Sequence, residues 1–130
     1  MRTIAFLLCL ALGAVTACTT DPVSLKIKLY GQGANFTGRY ALDDNEEEVD
    51  FSGSETTSGV YLYSTSVEAA DRVIIDVFPE ADDDGETDMT DLTCRIYDAD
   101  GNTVYENSIA ISSTLMKTFE FDVEDMNADE

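Results

Sequence analysis

The chain has 130 residues, enough for one domain behind a short leader. It carries 27 acidic against seven basic residues, a formal charge of −20, which excludes nucleic acid as a partner because phosphate binding needs clustered Lys and Arg. Histidine and tryptophan are both absent, which removes imidazole chemistry and the strongest stacking ring.

The leader comes first. Arg2 supplies a positive start, and residues 4–15 form an apolar run interrupted only by Gly13. A bilayer-spanning helix needs about 20 apolar residues, so this run is short for a permanent span and suits a signal peptide. It ends in Val15-Thr16-Ala17-Cys18, an aliphatic residue and two small ones before a cysteine. This is the lipobox pattern, in which the small residues let the cleavage site enter a peptidase extended. Residues 1–17 are therefore expected to be a lipoprotein signal peptide, with Cys18 as the lipidated N-terminus. Thr19 stands where an aspartate commonly retains a lipoprotein at the inner membrane. The expected location is the cell envelope, at the outer membrane in a two-membrane cell. Residues 18–22 form a tether that reaches under roughly 20 Å.

Removing residues 1–17 takes away Arg2 and no acid, so the net charge falls from −20 to −21. Cys9 leaves with the leader and Cys18 is capped by lipid. Cys94 then has no partner within the chain for a disulfide. It lies inside Leu92-Thr93-Cys94-Arg95-Ile96 and is expected to act as a buried apolar residue.

From Val23 the hydrophobic period is two. Val23, Leu25, Ile27 and Leu29 alternate with Ser24, Lys26, Lys28 and Tyr30, as in a half-buried strand. Gly31-Gln32-Gly33 turns the chain, and Phe36, Gly38, Tyr40 and Leu42 alternate next. Residues 43–48 read as an acidic loop, 49–51 as a short strand, 53–59 as a polar turn and 60–63 as a strand. Residues 72–78 are the most apolar run, with Val73, Ile75 and Val77 on one face, and Pro79 stops it. Residues 80–91 form a long acidic loop. Leu92, Cys94 and Ile96 make the next inward row. Asp98-Ala99-Asp100-Gly101-Asn102 is a hairpin signal, because glycine and asparagine tolerate positive φ. Residues 103–106 return, and 115–123 supply a last strand with Phe119, Phe121 and Val123 on one side. No amphipathic helix is predicted.

Seven to eight short strands at this spacing predict an all-β domain over residues 23–124, an antiparallel β-sandwich that is immunoglobulin-like in architecture alone. Residues 125–130 read as an acidic tail.

Residues 35–43 and 58–64, with Leu92-Thr93-Cys94-Arg95-Ile96-Tyr97 and then Asp100-Gly101-Asn102-Thr103-Val104, resemble the single-domain β-sandwich of MmpS-type small membrane proteins and related bacterial lipoproteins. The resemblance implies an accessory subunit of an envelope lipid transporter of the RND type. The chain departs from the pattern in having a lipid anchor in place of a transmembrane helix. It also has no second late cysteine to pair with Cys94.

No Gly-x-Ser-x-Gly elbow or Cys/His pair is present, so the chain is expected not to be an enzyme. Asp98, Asp100 and Asn102 match the first spacings of a calcium loop, but Thr103 and Ile109 stand where the EF-hand needs glycine and glutamate. If each strand crosses its sheet once, the loops at 43–48, 68–71 and 98–100 share one end. Asp43, Asp44, Asp98 and Asp100 are then candidate ligands for a weakly held Ca²⁺, the one cofactor considered. Tyr61 and Tyr63 share a face and, with Tyr97, are expected to form an exposed aromatic strip for a protein or glycan partner. Together these features predict a membrane-anchored, non-catalytic binding or structural module. The alternatives are a calcium-responsive module and the transporter accessory subunit.

Overall fold

The computed structural model describes residues 22–43 and 47–127. These residues form nine strands: β1 Val23–Gln32, β2 Phe36–Leu42, β3 Val49–Ser52, β4 Ser54–Thr57, β5 Val60–Ala69, β6 Arg72–Pro79, β7 Asp91–Tyr97, β8 Thr103–Ala110 and β9 Lys117–Asp122. The strand order is β4-β5-β1-β7-β8 in one sheet and β3-β2-β6-β9 in the other, with antiparallel pairing throughout. The two sheets face each other across one apolar core, as an antiparallel β-sandwich.

Alternation puts the core where the sequence pattern requires it. Leu25, Ile27 and Leu29 of β1 face inward, as do Val73, Ile75 and Val77 of β6. Leu92, Cys94 and Ile96 of β7 and Phe119 and Phe121 of β9 complete the interior. Among the described residues no polar or charged side chain is buried. Gly38 makes room for one large ring. A Cβ there would collide with the Phe51 ring and the Asp76 carbonyl oxygen, so Phe51 can cross β2 only because residue 38 lacks a side chain.

The ninth strand is the one the sequence pattern hides. Residues 54–57 read as part of a polar turn, yet they form β4 at the sheet edge, every residue exposed. A strand with no buried face carries no period-two signal. Gly53 donates its N–H to the Phe36 carbonyl, where the chain passes from one sheet to the other. The predicted strand at 60–63 continues to Ala69, and that at 103–106 to Ala110. The last strand ends at Asp122. A 3₁₀ turn, Val123–Asn127, follows in place of the start of a free tail, with Val123 buried and Met126 packed on the core.

Strand direction also sorts the loops. Val23 pairs with Ala69, and Arg72 with Asp122, so the start of β1 shares an end with the β5–β6 turn and the 3₁₀ turn. Lys26 pairs with Tyr97, which brings the β7–β8 turn to the same end. The sharing of one end by these loops follows from the strand order.

Candidate functional site

The predicted tyrosine strip is not assembled. Tyr61 and Tyr63 do share a face, but it is the inward one. Both pack against the core, opposite Gly31 and Leu29 of β1. Tyr63 stacks on Phe51 with centroids 4.3 Å apart and planes 10° from parallel, and burial raises its phenol above the usual value. The phase of β5 explains this. Val67 and Ala69 are buried and Ser64, Ser66 and Glu68 exposed, so Tyr61 and Tyr63 fall on the buried side of the same alternation. Tyr97 does face outward, as predicted, with Tyr30 two rows away.

The outward face of the five-stranded sheet has its own pattern, set by register. Lys26 of the central strand β1 lies between Ser66 of β5 and Tyr97 of β7. One row on, Lys28 lies between Ser64 and Arg95, and Arg95 faces Glu106 of β8. The next row is Leu62, Tyr30 and Thr93, with Thr93 Oγ1 hydrogen-bonded to Ser108 Oγ at 2.8 Å. Lys28 Nζ lies 5.8 Å from the Tyr97 ring centroid, and the Arg95 guanidinium 5.4 Å from that of Tyr30.

Half of the described cations thus meet on one strip of a chain of net charge −20. Each arginine has a carboxylate: Arg39 approaches Asp76 at 3.4 Å, Arg72 Glu120 at 2.9 Å and Arg95 Glu106 at 3.0 Å. Among the described residues, Lys26 and Lys28 are in no ion pair. Their cross-strand neighbours are serines, a tyrosine and another cation. Lys28 directly opposite Arg95 is a like-charge pair, which weakens a sheet. In a chain with 27 acids to draw on, stability alone gives no reason for that juxtaposition.

Beside this strip lies a groove of about 720 Å³, lined by Ser24, Lys26, Lys28, Ser66, Glu68 and Tyr97 and by the 98–101 turn. The turn is fixed by Asp98. Its Oδ1 accepts the N–H groups of Asp100 and Asn102, both at 2.9 Å, and Gly101 takes φ 88°. The groove thus offers two ammonium groups outside any ion pair among the described residues, that of Lys28 lying over the Tyr97 ring, with two hydroxyls and a carboxylate. Among the described residues no nucleophile–base pair accompanies them. Such a set has the donors and acceptors that a polar ligand would use.

The acids considered for calcium are engaged locally. Asp43, at φ 58°, accepts three backbone N–H groups on Oδ1, from Ala70 at 3.0 Å, Asp71 at 2.5 Å and Arg72 at 3.2 Å. It closes the β5–β6 turn onto the end of β2. Asp98 closes its own hairpin, and the Asp100 N–H is one of the donors to it. Among the described residues no group of three or more acids is placed to hold a metal ion. The shared end is present, but Asp43 and Asp98 turn their oxygens to backbone amides. Asp44 lies outside the described residues, as does Cys18.

Cys94 is fully buried between Leu92 and Ile96, as predicted, and desolvation pushes its thiol up to about 12. A thiol so placed stays protonated and is no nucleophile.

Comparison with family models, with curated proteins and with solved structures finds no match to this chain.

Proposed function

We propose that the chain is a lipid-anchored protein of the cell envelope carrying a non-catalytic binding module. Its contact surface is the outward face of the five-stranded sheet, centred on Lys26, Lys28 and Tyr97. The observation that carries the proposal is the pair of unpaired lysines beside the groove, in a chain of net charge −20. Among the described residues each arginine has a carboxylate while Lys26, Lys28 and Lys117 are in no ion pair, and of these three only Lys26 and Lys28 stand side by side on the groove.

The lipobox at Val15-Thr16-Ala17-Cys18 supports the anchor. β1 begins five residues after Cys18, so the groove opens at the tethered end of the sandwich. The absence of histidine and the exposure of the carboxylates support a binding role over a catalytic one.

The test is a pull-down of the lipidated protein from its own membranes, run beside Lys26→Glu with Lys28→Glu. Loss of a partner in the double variant supports the proposed surface. Retention of every partner places the contact elsewhere. Capture of a large lipid exporter would turn the proposal toward the accessory-subunit role that the MmpS-type resemblance implies.

A further inference from the structure

We infer that the groove beside Lys26 and Lys28 takes an anionic saccharide, a polyhydroxylated ring carrying a carboxylate. The inference rests on the contact surface proposed above and names its ligand class.

Size and openness come first. A groove of about 720 Å³ falls within the ~300–1,000 Å³ range of small-ligand sites, with room for a short oligosaccharide. The lining then narrows the chemistry. Lys26 and Lys28 project from the same face of β1 two residues apart, so their Cα atoms are about 6.7 Å apart. Each ammonium offers three donors and no acceptor, and among the described residues neither meets a carboxylate. A ligand anion satisfies both at once.

A bare polyanion fits less well, because Glu68 also lines the groove and Asp98 stands at its wall. Carboxylates repel a second charge but accept hydroxyl protons, and the Ser24 and Ser66 hydroxyls both donate and accept. Anion, hydroxyls and a partly apolar ring are found together in a uronate sugar. The Tyr97 ring gives an apolar wall for the sugar's C–H face. The wall is set before the ligand arrives, since Asp98 Oδ1 already holds the Asp100 and Asn102 amides. Preorganisation of this kind reduces the ordering cost of binding. An anionic bilayer surface is disfavoured as the occupant by the chain's −20 charge, which it would repel.

The experiment titrates the purified full chain, in neutral detergent, with trigalacturonate, maltotriose and triglutamate, following backbone amide shifts. Saturable shifts at residues 24–28, 66–68 and 97–101 are expected with trigalacturonate, and none with maltotriose. Lys26→Gln with Lys28→Gln should weaken binding about tenfold or more, since each lost charge-assisted contact counts strongly. Lys26→Arg with Lys28→Arg should restore it, and Lys117→Gln should leave it unchanged. Equal response to maltotriose removes the role of the lysines and overturns the inference. Equal response to triglutamate removes the role of the sugar and does the same. Shifts of the same amides in phosphatidylglycerol nanodiscs without saccharide would make a lipid headgroup the occupant. Absence of any response to trigalacturonate overturns the ligand class alone, because the pull-down with charge-reversed lysines reads the contact surface independently.

Discussion

Asp43 is the residue whose replacement separates backbone strain from hydrogen bonding. It sits at φ 58°, where an ordinary L-residue pays about 1–2 kcal/mol and glycine nothing. Its Oδ1 gathers the N–H groups of Ala70, Asp71 and Arg72, while its own N–H donates to the Arg72 carbonyl at 2.7 Å. A single charged hydrogen bond is worth about 1.5–3 kcal/mol net, and three donors sharing one partly exposed oxygen hold about 1–2 kcal/mol in total. Asp43→Ala loses the acceptor and adds only the margin by which alanine tolerates the left-handed region less well than aspartate, for a cost of about 1–3 kcal/mol. Asp43→Gly loses only the acceptor and should cost about 1 kcal/mol less than alanine. Asp43→Asn keeps an oxygen and tolerates the backbone, so it should cost under about 1 kcal/mol. Urea denaturation followed by circular dichroism reads the series. With a slope of about 2 kcal/mol/M, alanine should lower the midpoint by about 0.5–1.5 M. An alanine midpoint equal to wild type, or a glycine variant worse than alanine, would refute the role assigned to Asp43.

Three further outcomes are expected. In a chain lacking Cys9 and Cys18, Cys94 should react with a thiol reagent slowly when native and rapidly in denaturant at pH 8, because burial holds it as a thiol up to about pH 12; fast native labelling contradicts that burial. Cys18 should take up a fatty-acid analogue in growing cells, and a Cys18→Ala variant that still labels and stays on the membrane rules out the proposed anchor. Asp98 is held below its ordinary 3.8 first by the Asn102 backbone amide, so the folded hairpin favours the ionised carboxylate. Its contribution is complete above pH 3.8 and is lost as pH falls through the lower folded value. Carbon-detected titration of Asp98 should give a midpoint below 3.8, and one at or above it would mean that the hairpin bonds are not formed in solution.

The core was legible in the sequence because burial on one face leaves a period of two. Leu25-Ile27-Leu29, Val73-Ile75-Val77 and Leu92-Cys94-Ile96 all point inward as that period demands. The Asp98–Asn102 turn was legible for a local reason, since its carboxylate and Gly101 act within five residues. Tyr61 and Tyr63 were assigned to solvent because the strand was read as ending at Tyr63. Its phase is set by the part beyond, where Val67 and Ala69 continue the same side as the tyrosines. The polar run Ser64, Ser66, Glu68 was the signal that could have corrected it. β4 left no signal, being exposed at every residue.

The groove needed register, which no single segment carries. Alternation in β1 already put Lys26 and Lys28 on the outward face. What stands beside them depends on which residues of β5 and β7 fall opposite, and a shift of one would replace Ser66 and Tyr97 by inward neighbours. Across the sandwich Arg39 follows the usual rule: it lies opposite Asp76 in register and is ion-paired to Asp76 at 3.4 Å and to Glu48 at 3.7 Å. β1 does the reverse. It sets Lys26 among a serine and a tyrosine and Lys28 beside Arg95, and leaves Glu106 to Arg95. A sheet selected only for stability would place some of the chain's many carboxylates opposite those lysines, a change worth about 0.2–1 kcal/mol per pair. That forgone stabilisation is the physical argument behind the contact surface proposed for Lys26 and Lys28.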